Sequence, residues 1–189
     1  MKVLALKAIG ISGSLRSASK NTVVLKNAIK MASAAGVEVE LLNLRDLNVP
    51  IYDGDLENEG MPDGVKILRE KILEADLLLI ASPEYNGSVS GALKNAIDWA
   101  SRGQNVLDGK IAAIFGASSG SFGTIEGQKH LRDILNKLNC FILPQPRVYI
   151  SSSGETISDD GTIKDEMAKS KLNELMVKTI EFARKMKQK

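Results

Sequence analysis

The stretch DLLLIAS at 76–82 carries no polar residue between Asp76 and Ser82, and it restricts the fold more than any other segment. A strand with one wet face alternates apolar and polar residues. A strand apolar at every step must be covered on both faces, as in the middle of a parallel sheet. Parallel neighbours need long crossover connections, and the flanking sequence supplies them. Apolar residues recur at helical spacing over 21–35, which ends at Gly36, and again over 63–75, 90–101 and 123–138. A longer amphipathic helix is predicted at about 165–187. Between these lie β-rich stretches at 4–12, 37–44, 110–118 and 140–150, the last with Pro144 and Pro146 marking an irregular or edge part. The alternation predicts an α/β three-layer sandwich over residues 1–189 as one domain. Its core is a five-stranded parallel sheet in the order 2-1-3-4-5, with helices on both faces.

Charge and composition narrow the function classes. The formal net charge is +2, with acids and bases interspersed, so there is no basic stripe of the kind that reads nucleic acid. The basic ending ARKMKQK suits a helix C-terminus, where cations meet the negative end of the dipole. No apolar run approaches the ~20 residues of a membrane span. Cys140 is the single cysteine, which excludes an intrachain disulfide and fits a reducing, cytoplasmic setting. Its neighbours ILNKL and FIL make it a packing residue. No His, Cys, Asp and Glu group has the spacing of a metal site.

In such sheets ligands sit beyond the carboxyl ends of the strands, near the switch point between strands 1 and 3. Three loops there have unusual sequences. After strand 1, SGSLRSASKN (12–21) runs glycine, hydroxyls and one arginine into a helix start, whose N–H groups and dipole favour an anion. Ser12, Ser14, Ser19 and Asn21 can hydrogen bond, and Arg16 can add a charge-assisted bond, which suits a terminal phosphate monoester. A serine-capped helix with idle hydroxyls accounts for the same letters. The loop matches neither G-x-G-x-x-G nor G-x-x-x-x-G-K-[ST].

After strand 3 comes SPEYNG (82–87). Pro83 and Gly87 can hold a tight exposed loop, Tyr85 offers an aromatic wall, and Asn86 both donates and accepts. Glu84 can equally brace the loop or face solvent. After strand 4, GASSGSFG (116–123) offers backbone amides and Phe122 to the other side of a planar ligand. The segment RDLNVPIYDGDLENEGMP (45–62) reads as irregular, wrapping a sheet edge or an oligomer contact. Trp99, on the helix behind the second loop, reads as packing rather than as a stacking partner.

Taken together, GISGSLRSASKN, SPEYNGSVSGALKNAIDWASR and GASSGSFG resemble the NADPH-dependent FMN reductase family, whose members include chromate, quinone and azo-dye reductases of flavodoxin-like fold. The resemblance implies non-covalent FMN, NADPH or NADH as donor, a small-molecule acceptor, and a homodimer or homotetramer. By position it implies that Ser12, Ser14, Arg16, Ser19 and Asn21 hold the phosphate. It places Pro83, Glu84, Tyr85, Asn86 and Gly87 around the isoalloxazine, with Ser118, Ser119 and Gly120 near its far edge. No catalytic side chain is expected, because the cofactor carries the electron chemistry. The pattern Gly-Gly-x-Arg-Ala-Gln of many relatives reads here Gly123-Thr124-Ile125-Glu126-Gly127-Gln128, so an acid stands where those relatives carry a base.

Two other readings compete. GASSG (116–120) matches the G-x-S-x-G nucleophile elbow of serine hydrolases. Its only histidine, His130, lies a turn or two into the following helix, four residues from Glu126 and suited to a surface pair with it. A flavodoxin-type electron carrier is the other, though carriers are commonly acidic and this chain is not.

Overall fold

The computed structural model describes residues 5–188, so Leu4 at the head of the predicted first strand lies outside it. The central sheet runs β2 (Val37–Leu42), β1 (Leu6–Ser12), β3 (Leu77–Ala81), β6 (Ile111–Ala117), all parallel. The fifth position is shared by β7 (Phe141–Ile142) and β8 (Val148–Ile150), which pair with β6 at Ile111–Ala112 and at Phe115–Ala117 respectively. The predicted order 2-1-3-4-5 is therefore present, with its last strand interrupted around Pro144 and Pro146, whose nitrogens cannot donate to a ladder. A separate two-stranded hairpin joins β4 (Glu84–Tyr85) to β5 (Ser88–Val89).

The helices sort by face. β3 explains why its sequence is apolar at each step: Leu77, Leu79 and Ala81 join one buried cluster, and Leu78 and Ile80 the other. The first cluster is roofed by α1 (Lys20–Ala34) and α7 (Glu166–Lys187), through Val24, Leu25, Ala28, Leu172 and Met176. The second is roofed by α3 (Asp63–Glu74), α4 (Gly91–Ala100) and α5 (Ile125–Lys137), through Leu68, Ile72, Leu93, Ile97, Leu131 and Leu135. These residues recur three and four apart, so one stripe of each helix faces the sheet. Cys140 lies in the second cluster, where its thiol donates to the Leu107 carbonyl at 3.2 Å and burial pushes its pKa up to about 12.

Two short helices were not legible. α2 (Gly54–Glu59) interrupts the 45–62 segment, capped by the Asp53 carboxylate on Asp55 N–H at 2.8 Å. α6 (Ser153–Thr156) is one turn following β8. The middle of the 45–62 segment is pinned to α4. The Pro50 carbonyl accepts from Trp99 Nε1 at 2.8 Å and from Asn95 Nδ2 at 2.7 Å. Tyr52 N–H returns a bond to Asn95 Oδ1 at 2.8 Å, and its ring meets Trp99 edge-on with centroids 5.0 Å apart. Trp99 is fully buried, as a packing residue should be. Truncating it should be costly because a cavity and an orphaned segment result together. Trp99→Ala should lose about 3–5 kcal/mol. Trp99→Phe should lose about 1 kcal/mol, since Asn95 still serves Pro50. Urea midpoints read at constant m-value distinguish the two.

Candidate active site

The carboxyl ends of β1, β3 and β6 bring the predicted loops to one cleft of about 220 Å³. Ser14, Arg16, Ser19 and Asn21 line it from the first loop, Pro83, Glu84 and Tyr85 from the second, and Ser118 and Ser119 from the third. Ser12, Asn86, Gly87 and Gly120 do not line it.

Close backbone approach locks the three crossings together. Gly13 N–H donates to the Ala81 carbonyl at 2.8 Å, and Ser90 Oγ donates to the Gly13 carbonyl at 2.6 Å. A Cβ on Gly13 would stand 3.0 Å from both Pro83 Cδ and Ser90 Oγ, so any larger residue would push these loops apart by a few tenths of an ångström. A Cβ on Gly116 would stand 2.2 Å from the Ser82 carbonyl oxygen. Asn21 joins α1 to the end of β6: Nδ2 donates to the Ala117 carbonyl at 2.8 Å and Oδ1 accepts from Ala117 N–H at 2.9 Å. The third loop is tied to the chain beyond β8, with Ser118 N–H on the Ile150 carbonyl and Ser153 N–H on the Ser118 carbonyl.

In the first loop most hydroxyls serve the loop itself. Ser12 Oγ accepts from Ser14 N–H at 3.3 Å and from Thr22 Oγ1 at 3.0 Å, and Ser14 Oγ accepts from Arg16 N–H at 3.4 Å. Ser19 is the N-cap of α1, accepting from Thr22 N–H at 3.3 Å. Asn21 has its amide engaged at both ends with Ala117, so its contribution toward the cleft is through its backbone. The N–H groups of Lys20 and Asn21 sit in the first turn, where no earlier helix carbonyl can accept them. Arg16 is exposed, and among the described residues its guanidinium has no hydrogen bond or ion pair. The arrangement is a concentration of unused donors around one helix start.

The second loop is a hairpin rather than an open turn. Asn86 and Gly87 take φ of 51° and 71°, forming a two-residue connection between paired Tyr85 and Ser88. Asn-Gly between strand residues is the standard signal for that turn, and sequence reasoning assigned the turn to proline and glycine instead. Glu84 braces: its Oε2 accepts from Gly127 N–H at 2.8 Å, in the first turn of α5. The formal N-cap, Thr124, makes no capping bond, and its hydroxyl accepts from Gln128 Nε2. A carboxylate from a different loop thus caps α5. Gly127 permits the approach, since a Cβ there would lie 3.2 Å from Glu84 Cγ. Tyr85 lines the cleft beside this brace and is 47% exposed, while Phe122 of the third loop is 81% exposed and outside the lining.

Sequence reasoning missed Ala18, Lys20, Ala117 and Ser153 as lining residues. Lys20 is committed to the scaffold, its Nζ donating to the Ile157 carbonyl at 2.9 Å and to Asp159 at 3.3 Å. Ser153 arrives through β8, which no local motif announces.

The hydrolase elbow is not built. Ser118 is not among the residues of positive φ, and its hydroxyl accepts from Gly120 N–H at 3.2 Å. His130 Nδ1 lies 3.1 Å from Ser88 Oγ, on the hairpin. Glu126 pairs with Lys129 at 3.7 Å, which corrects the expected Glu126–His130 pair. Among the described residues no group of three or more His, Cys, Asp or Glu could hold a metal, and no helix is long and apolar enough to cross a membrane.

Comparison with known proteins gives the same direction. The family model for NADPH-dependent FMN reductase matches residues 6–155. An NAD(P)H-dependent FMN reductase of Pseudomonas aeruginosa is 45% identical over 165 residues, covering 87% of this chain and 88% of that protein. An NAD(P)H:quinone oxidoreductase of Solanum tuberosum is 39% identical over 187 residues, covering 96% and 95%. Among solved structures, the flavoenzyme NAD(P)H:(acceptor) oxidoreductase FerB of Paracoccus denitrificans superposes with a TM-score of 0.85 at 32% identity, over 95% of this chain and 98% of that one. The chain belongs to the NADPH-dependent FMN reductase family, oxidoreductases of flavodoxin-like fold.

Proposed function

We propose that the cleft formed by the three loops holds FMN non-covalently, and that the protein uses it to pass two electrons from NADPH or NADH to quinone-type acceptors, with azo compounds and metal oxyanions as further acceptors. The observation carrying this is the set of unused donors at the start of α1 facing the rim that the Glu84–Tyr85 hairpin and Ser118–Ser119 complete. The donor set fits a phosphate monoester: Arg16 has no counter-charge, and the single carboxylate in the lining, Glu84, is occupied by Gly127. When bound, FMN supplies the two-electron chemistry.

The residues have separate tasks in this reading. Arg16, Ser14, Ser19 and the first-turn N–H groups hold the phosphate. Pro83, Glu84 and Tyr85 frame the ring, with Asn86 and Gly87 shaping the hairpin that presents them. Ser118 and Ser119 stand at the far edge, with Gly120 shaping the turn behind them; the Ser118 and Gly120 N–H groups serve the Ile150 carbonyl and Ser118 Oγ, which leaves the Ser119 N–H as the backbone donor toward the cofactor. Ser12 and Asn21 keep the first loop in shape. Residues 1–189 act as one flavin-binding unit. The buried thiol of Cys140 fits a reducing, cytoplasmic setting. A homodimer or homotetramer fits the apolar groove between α4 and the 45–62 segment, beside which Ile51 is 85% exposed. An electron carrier would stabilise a one-electron state, whereas this protein should move between the oxidised and two-electron forms.

The direct test is the visible spectrum of the purified protein, followed by anaerobic addition of NADPH and of NADH. A yellow protein bleached by either supports the reading; a colourless one that takes up no added FMN ends it. Arg16→Ala should weaken FMN by roughly ten- to a hundredfold, the worth of a charge-assisted bond, and riboflavin by less than about twofold. Fluorescence quenching titrations with both flavins measure this. Glu84→Ala should cost about 1 kcal/mol of stability by uncapping α5, and should weaken FMN and riboflavin alike. Glu84→Gln, which keeps an acceptor oxygen, should recover most of both.

A further inference from the structure

At the edge of the sheet the fifth strand breaks, β7 ending at Ile142 and β8 beginning at Val148. α5 holds both lips of the break with side chains one turn apart. Gln128 Nε2 donates to the Val148 carbonyl at 2.8 Å, and Arg132 Nη1 donates to the Leu143 carbonyl at 2.9 Å. Neither side chain is fully paired. Five buried side-chain polar atoms among the described residues have no hydrogen-bond partner, and three of them are here: Gln128 Oε1, Arg132 Nε and Arg132 Nη2. The other two, Thr179 Oγ1 and Arg184 Nε, lie on α7. A buried polar atom left unpaired costs its desolvation in full, so three at one place call for a common partner. The guanidinium has the greater need. Burial holds its pKa below the usual arginine value, and the Arg147 charge adds to the effect. Arg147 itself reaches the next carbonyl along, Pro144, at 3.3 Å. Among the described residues neither arginine has an ion pair.

The donor and acceptor types select the occupant. Val148 offers Gln128 only a carbonyl oxygen, so the amide nitrogen faces it and the amide oxygen is left over. Arg132 Nε and Nη2 share one edge of a planar fork and donate side by side. An anion suits that fork but would meet the Gln128 oxygen as like against like. A donor group would serve the oxygen and repel the fork. Water serves both, its oxygen accepting from the fork and one hydrogen going to the amide oxygen. The spacing agrees: residues four apart on a helix hold their Cβ atoms about 5–6 Å apart, and two hydrogen bonds through one water span about the same distance. We propose that a single buried water molecule is bound between Gln128 Oε1 and the Nε–Nη2 edge of Arg132 as a fixed part of the fold. It makes three bonds, the usual number for an internal water. It joins the residue that holds Leu143 to the residue that holds Val148, and so fixes where the chain re-enters the sheet as β8, the strand that leads to Ser153 in the cleft. Neither Gln128 nor Arg132 lines that cleft.

A crystal structure of the unaltered, full-length protein, at a resolution that shows ordered solvent, is the direct test. One solvent peak within hydrogen-bond reach of all three atoms is expected. An Arg132 fork bonded straight to Gln128 Oε1, with no peak between them, overturns the proposal. A peak that bromide replaces also overturns it and makes the place an anion site. Urea midpoints of Gln128→Met, Arg132→Met and the double variant supply a solution test at constant m-value. Each single change deprives the water of one anchor and strands the group on the other side. The double variant should therefore lose clearly less than the sum of the two single losses. Losses that simply add would overturn the shared water. Should either substitution prevent folding, the crystallographic result on the unaltered protein decides.

Discussion

The paired hydrogen bonds between the Asn21 amide and the Ala117 backbone hold the working rim in register. They reach across β3, from the first turn of α1 to the last residue of β6, and they are buried. A buried amide satisfied at both ends is rigid, and leaving either backbone group unpaired would cost its full desolvation. The direction of the α1 N-terminus, and hence of its unused N–H groups, follows from this link. The close approaches at Gly13 and Gly116 depend on the same register, since each admits a neighbouring loop with no room to spare.

Side chains at the rim divide into those spent on the protein and those left for a ligand, and residue type alone does not tell them apart. Ser12, Asn21 and Glu84 have the chemistry of binding residues, yet their polar atoms are committed to Thr22, Ala117 and Gly127. Arg16 is uncommitted. Lys20 is likewise spent, on the Ile157 carbonyl and Asp159, which leaves Arg16 and the first-turn backbone donors as the uncommitted groups of the rim. An anionic cofactor meets little competition at such a rim.

The sheet order was legible because β3 is apolar at each step and the helical stripes on either side recur with regular spacing. The break in the fifth strand was legible from Pro144 and Pro146. The convergence of the loops followed from topology, since parallel strands must all end on one side. What escaped has a common physical origin. Glu84 caps a helix 43 residues further along, and no local pattern reveals a partner that distant. Ser153 enters the cleft only because β8 pairs beside β6. The 45–62 segment lacks periodicity, and its place is set by the Pro50 carbonyl finding Trp99 and Asn95. The Asn-Gly turn was legible in principle, since Asn86-Gly87 between Tyr85 and Ser88 is itself a hairpin signal.

The brace between Glu84 and Gly127 limits how the rim can deform. Swinging the hairpin outward to admit a bulky guest would strip the cap from α5 and open the tight seam at Gly127. An acceptor larger than the cleft would then lie over the half-exposed Tyr85 rather than displace a loop that yields. The rim is stiff where the brace holds it and exposed at Tyr85.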